Sequence, residues 1–108
     1  MANPPVPGRR VRGSETGRPL MAALDLLGRR WALRILWELR DGPLGARTLR
    51  ATCDEMSSSV LYERLNELRK AGLIKRDALS YALTPIGREL GKAIEPLEQW
   101  SRRWARER

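Results

Sequence analysis

"EMSSSVLYERLNELRKAGLIKRDALSYALT", residues Glu55–Thr84, decides the fold of this chain. At about 100° per residue, Val60, Leu61, Leu65, Leu68 and Ala71 gather on one side of a helix, and Ser59, Tyr62, Glu63, Asn66, Arg69 and Lys70 on the other. Serine competes with the backbone inside a helix but caps its start well, so Ser57 is expected to accept a hydrogen bond from a free backbone N–H. Val60 stands where a capping box would need Glu or Gln, so no reciprocal bond is expected. Gly72 fits the position just past a helix end. Leu73 to Asp77 and Ser80 to Leu83 then alternate as strands, joined by a tight link at Asp77-Ala78-Leu79-Ser80. The stretch therefore predicts a helix followed at once by a β-hairpin.

Working upstream, Pro19 suits the first position of a helix whose face is Leu20, Ala23, Leu24 and Leu27, ended by Gly28. Trp31, Ile35, Leu36 and Leu39 define a second helix ending near Arg40, and Asp41-Gly42-Pro43 stops it. A short helix from about Ala46 to Cys53 follows. It turns Leu49 and Cys53 inward, with Cys53 read as a small buried hydrophobe, and leaves Arg47 and Arg50 exposed.

Downstream, Thr84-Pro85 begins the last helix. Its apolar residues Ile86, Leu90, Ala93, Leu97, Trp100 and Trp104 alternate four and three apart, the period of a helix laid along a partner helix. Pro96 is expected to kink it, because proline lacks a donor and crowds the Lys92 carbonyl. Two tryptophans near the end of a small domain give a large apolar surface, so this stripe is expected to be buried against another chain.

Composition removes other classes. With 108 residues there is room for one domain, and a net charge of +8 favours a polyanionic partner. There is no histidine and a single cysteine, which leaves no protein-only zinc site, no Cys/His nucleophile pair and no internal disulfide. No phosphate loop and no paired carboxylates stand out, so neither enzyme activity nor a cofactor is expected. Residues 1–17, rich in Pro, Gly and Arg, read as a disordered basic arm, and residues 18–108 as the folded domain. Arg9, Arg10 and Arg12 could touch phosphate, although a floppy tail is the simpler reading. No signal-type apolar region and no run of roughly 18 apolar residues appears, so a cytoplasmic protein without a membrane partner is expected.

The order helix, helix, short helix, helix, hairpin, helix is that of a winged helix-turn-helix. The chain is mainly α with a small β-hairpin, extended by N- and C-terminal helices. Such a fold places its recognition helix in the major groove of double-stranded DNA. Ser58, Ser59, Tyr62 and Asn66 lie where that helix meets base edges, and Arg47, Arg50, Arg69, Lys75 and Arg76 suit phosphate contacts. Arg64 falls toward the apolar side, where pairing with a carboxylate of the domain is expected. Glu63 and Glu67 count as acids that offset much of the helix's charge. A protein-interaction module, or one that coats nucleic acid without sequence choice, is the alternative.

The chain also resembles the HxlR family of bacterial transcription regulators. The resemblance rests on Ala23-Leu24-Asp25-Leu26-Leu27-Gly28-Arg29-Arg30-Trp31-Ala32-Leu33-Arg34-Ile35-Leu36, on Asp41-Gly42-Pro43, on Val60-Leu61, Arg64-Leu65, Glu67-Leu68 and Ala71-Gly72-Leu73, and on Tyr81-Ala82-Leu83-Thr84 before Gly87. It implies a homodimer on a palindromic operator, with the first and last helices forming the interface. Leu20, Leu24, Leu90, Leu97, Trp100 and Trp104 are the residues here that fit that role. It also leaves open a small-molecule effector of unknown identity, for which a dimer could enclose an apolar pocket between those helices. Some members of the family respond to electrophiles or oxidants. Three departures stand out. Arg18-Pro19 replaces the Cys-Pro of redox-responsive members, Ala46 replaces a bulky aromatic, and the wing is shorter, which puts its contact with DNA in doubt.

Overall fold

The structure is a computed structural model that describes residues 3–108. It contains α1 (Pro19–Leu27), α2 (Ala32–Glu38), β1 (Leu44–Gly45), α3 (Ala46–Thr52), α4 (Ser58–Lys70), β2 (Ile74–Asp77), β3 (Ser80–Leu83) and α5 (Pro85–Glu107). The strands form an antiparallel sheet in the order β1-β3-β2, with Asp77 opposite Ser80 in the hairpin and Leu44 opposite Tyr81 at the far edge. This is the winged helix-turn-helix expected from sequence. The core is the apolar side of α4, Leu61, Leu65 and Leu68, packed with Ile35 of α2 and Leu39 at its C-cap, Leu49 of α3, and Ile74, Tyr81 and Leu83 of the sheet.

Two contacts at the base of α5 fix how it leaves the sheet. The Thr84 hydroxyl lies 2.6 Å from the Gly72 carbonyl and accepts from the Gly87 N–H at 3.1 Å. Gly87 is itself buried, and a Cβ there would stand 2.1 Å from the Leu73 carbonyl oxygen. Only glycine allows the helix to approach the α4–β2 connection so closely.

Several details differ from the sequence expectations. In α1 the buried residues are Ala22 and Leu26, whereas Leu20 and Leu24 stand exposed at 65% and 55%. α2 begins at Ala32, because Trp31 takes the left-handed conformation at φ 75° as the residue before it. The two-residue β1 was not anticipated, since so short a strand has no period to read. Of residues 1–17, expected to be a disordered basic arm, 1 and 2 lie outside the described residues, and 3–17 are drawn up in successive turns. Gly8 N–H donates to the Gly17 carbonyl at 2.9 Å, Val11 pairs with Ser14, and the Ser14 hydroxyl accepts from Gly17 and Arg18 N–H. Turn chemistry explains the difference: Gly8, Gly13 and Gly17 all have positive φ, and Pro4 and Pro5 are buried.

Candidate nucleic-acid interface

The turn from α3 to α4 sets the angle of the recognition helix. Asp54 and Glu55 adopt left-handed φ values of 55° and 56°, and Met56 plugs into the core behind them. Arg50 Nε donates to the Met56 carbonyl at 2.7 Å, and Arg34 donates to the Thr52 carbonyl. Arg50 is thus partly committed to holding the turn, although it remains exposed. Arg47 is exposed on α3.

Ser57 caps α4, its hydroxyl accepting from the Val60 N–H at 3.3 Å. Ser58 and Ser59 follow in the first turn and are exposed, as is Tyr62. Asn66 is half-buried one turn further on. The structure brings Asn66 and Arg69 together with Lys75 and Arg76 of β2 around a shallow basin of about 440 Å³. Lys70 lines the same basin and was left out of the sequence-derived set, although it lies on the polar face of the wheel. The Arg76 guanidinium lies 5.9 Å from the centre of the Tyr81 ring, which steadies it on the sheet. The hairpin turns through two residues, Ala78 and Leu79, with Leu79 exposed at its tip and no basic side chain there.

Glu67 does not face solvent; it is 6% exposed. Its carboxylate accepts from Arg64 at 2.9 Å and from Arg29, just beyond α1, at 3.0 Å. Arg64 also donates from Nε to the Arg30 carbonyl at 2.8 Å and pairs with Glu63 at 3.3 Å. Arg64 thus has the carboxylate partner expected from its place on the wheel. Arg64 and Glu67 turn inward as a pair, so Glu63, Arg69 and Lys70 are the charges that α4 presents outward.

The remaining apolar surface lies on the opposite elements. Leu97, Trp100 and Trp104 of α5 are each about half exposed, and the two indoles stack at 5.5 Å between ring centres. Leu90 is half-buried against the core. Cys53 is fully buried, and burial pushes its thiol above the ordinary range, opposed in part by Arg34. It behaves as a core residue and is poorly placed to react. Among the described residues, no group of three or more His, Cys, Asp or Glu side chains could hold a metal ion, and no helix is long and apolar enough to cross a membrane.

A three-helix core, an α4 with an outward polar face, and a wing flanking it define a helix-turn-helix transcriptional regulator. The HxlR-like helix-turn-helix family model matches residues 26–108, and the chain belongs to that family. It is 32% identical over 89 residues to YvaP of Bacillus subtilis (strain 168), an uncharacterized HTH-type transcriptional regulator, covering 76% of this chain and 82% of YvaP. Among solved structures it is similar to quinone-bound YodB from B. subtilis, with a TM-score of 0.68 and 31% identity over 82% of this chain and 97% of that one. A possible HxlR family transcriptional factor from Thermoplasma volcanium GSS1 superposes with a TM-score of 0.71 at 28% identity, covering 78% of this chain and 82% of that one.

Proposed function

We propose that this chain is a homodimeric, sequence-specific DNA-binding regulator that sets one α4 into each half of a palindromic operator. The observation that carries the proposal is the basin joining Asn66 and Arg69 of α4 to Lys75 and Arg76 of the wing. It is a polar, basic surface at the element that a winged helix-turn-helix offers to the major groove. Ser58, Ser59, Tyr62 and Asn66 approach base edges; Arg47, Arg69, Lys70, Lys75 and Arg76 neutralise phosphates, with Arg50 contributing through the donors it does not spend on Met56. The exposed apolar side chains of α1 and α5, Leu20, Leu24, Leu97, Trp100 and Trp104, pack against a second copy, joined by Leu90. Residues 18–108 are the unit that carries both surfaces, and the protein works in the cytoplasm.

The test is a gel shift with DNA from upstream of the chain's own gene against random duplex. Specific binding with half-sites about one helical turn apart, falling steeply with salt, is expected. Equal affinity for both DNAs would refute sequence specificity. It would instead favour a non-specific or protein-binding module, a reading that the short wing with Leu79 at its tip supports.

A small apolar effector is part of the proposal. A cavity of about 430 Å³ between the N-terminal segment, α1 and α5 is lined by Val6, Ala22, Leu26, Leu73 and Leu90, with Glu89 at its edge. YodB has been crystallised with bound quinone. In this chain Arg18 takes the place of the cysteine of redox-responsive members and Cys53 is buried, so an effector here binds without a covalent bond.

A further inference from the structure

A second cavity, of about 650 Å³, lies beside the turn from α1 to α2. Its lining differs in kind from the apolar one. Four arginines border it, Arg12, Arg29, Arg30 and Arg64, with Asp25 as the acid among them and Met21 and Leu24 as apolar wall. Like charges converge on a common space only at an electrostatic cost unless counter-charges are supplied. The available acids supply part of it. Asp25 accepts from the Arg12 backbone N–H at 3.1 Å and lies 4.0 Å from Arg12 Nε. Glu67 holds Arg29 and Arg64.

The donors are in larger surplus than the charges. A guanidinium carries five N–H groups in a planar fork. Arg29 spends one of them on Glu67, and its Nε is buried with no acceptor. The Arg30 guanidinium rests on the Trp31 ring, 5.7 Å from its centre, and makes no other side-chain bond to a described residue. Arg12 is almost wholly exposed and free to close over the opening. A fork of this kind matches a carboxylate or phosphate.

We propose that this cavity binds a small anion presenting a carboxylate or phosphate oxyanion. Arg29 is the principal ligand, Arg30 and Arg12 close over the charge, and Met21 receives any apolar body. The site is separate from the apolar cavity under the N-terminal segment. It also touches α4 directly, since Arg64 belongs to that helix. Coupling to DNA rests on the function proposed above, whereas anion binding does not.

The experiment is isothermal titration of the full chain with sodium benzoate and, separately, with inorganic phosphate, at ionic strength held constant with sodium chloride. At least one probe is expected to bind saturably at one site per chain, and the one that binds tells whether an organic acid or an inorganic oxyanion is read. Neutral benzamide should give no saturable heat. Arg30→Ala, which alters only an exposed side chain, and Arg29→Met should each weaken binding by roughly tenfold or more, the share of one charge-assisted hydrogen bond. Arg103→Ala on α5 should leave it unchanged. Circular dichroism confirms that each variant is folded. The proposal is overturned if neither probe binds saturably, if benzamide matches benzoate, or if Arg30→Ala binds as the unaltered chain does. Operator affinity with and without the saturating probe reads the coupling separately, so a failure to bind DNA would leave the titration result standing.

Discussion

Glu67 offers the sharpest test of how α4 is held. Glu67→Gln keeps the shape of the side chain but removes its charge. One amide oxygen can still accept from Arg64 or Arg29, while the amide nitrogen faces the other guanidinium donor to donor. Breaking a buried pair by removing one partner costs about 3–5 kcal/mol. Here the Arg64 side chain is only 15% exposed and pays most of that, whereas Arg29, at 33%, can turn partly to water. A loss of about 2–4 kcal/mol is therefore expected after discounting the exposed partner. With a urea slope of about 1.5 kcal/mol/M, the unfolding midpoint falls by about 1–3 M while the slope stays the same. Both proteins are compared at one concentration, because self-association would raise the apparent stability. The control is Glu63→Gln, 59% exposed on the same helix, which should change stability by no more than about 0.5 kcal/mol. A Glu67→Gln midpoint within error of that control would refute the buried pairing.

Three further outcomes are expected. Trp100→Ala with Trp104→Ala should shift the protein toward monomer in sedimentation velocity, and an unchanged dimer would remove these residues from the interface. Asn66→Ala should relax preference at one operator position by about 1–3 kcal/mol if it pairs with a base, whereas a uniform loss across sequences would place it on the backbone. Cys53 should react with a thiol reagent only as the chain unfolds. Because its thiol is raised in the folded state, that neutral thiol stabilises the fold fully below the unfolded pKa; the contribution is lost as pH rises through the folded value. Cys53→Ala should therefore flatten the decline of stability in alkaline solution, which urea titrations at several pH values would detect.

The parts of the fold that were legible in sequence are those with a period and a stop. α4 shows both, with its leucines on one face, Ser57 before it and Gly72 after it, and so does the hairpin. α1 was legible as a helix but not in its orientation. PLMAALDLL is apolar on nearly every side, so spacing alone could not separate the buried Ala22 and Leu26 from the exposed Leu20 and Leu24. Trp31 gave no sign of its left-handed backbone, which tertiary packing imposes on a residue with no intrinsic taste for it. The burial of Glu67 was recoverable. On the wheel it lies beside Val60 and Ala71, and it stands three residues after Arg64, the spacing of a helical ion pair. Its second partner, Arg29, lies 38 residues away and had no local signal. For the interface, sequence could nominate side chains but not gather them; only the packing of β2 against the end of α4 brings Lys75 and Arg76 to Asn66 and Arg69.

The joint at Thr84 and Gly87 also bears on how two distant surfaces communicate. α5 is 23 residues long, about 34 Å of helix, and is seated at one end on the segment that terminates α4. It is a lever with a stiff fulcrum. A tilt of about 5° at its base carries the far end, with Trp100 and Trp104, sideways by about 3 Å on that length. In a dimer the relation runs in reverse as well. In the dimer proposed above, the partner would grip the long arm, so that a large displacement there would become a fine adjustment of the angle and spacing of the two α4 helices. Because a methyl group at Gly87 would meet the Leu73 carbonyl, the joint is close-packed, and a displacement passed along α5 would bear directly on the segment that ends α4.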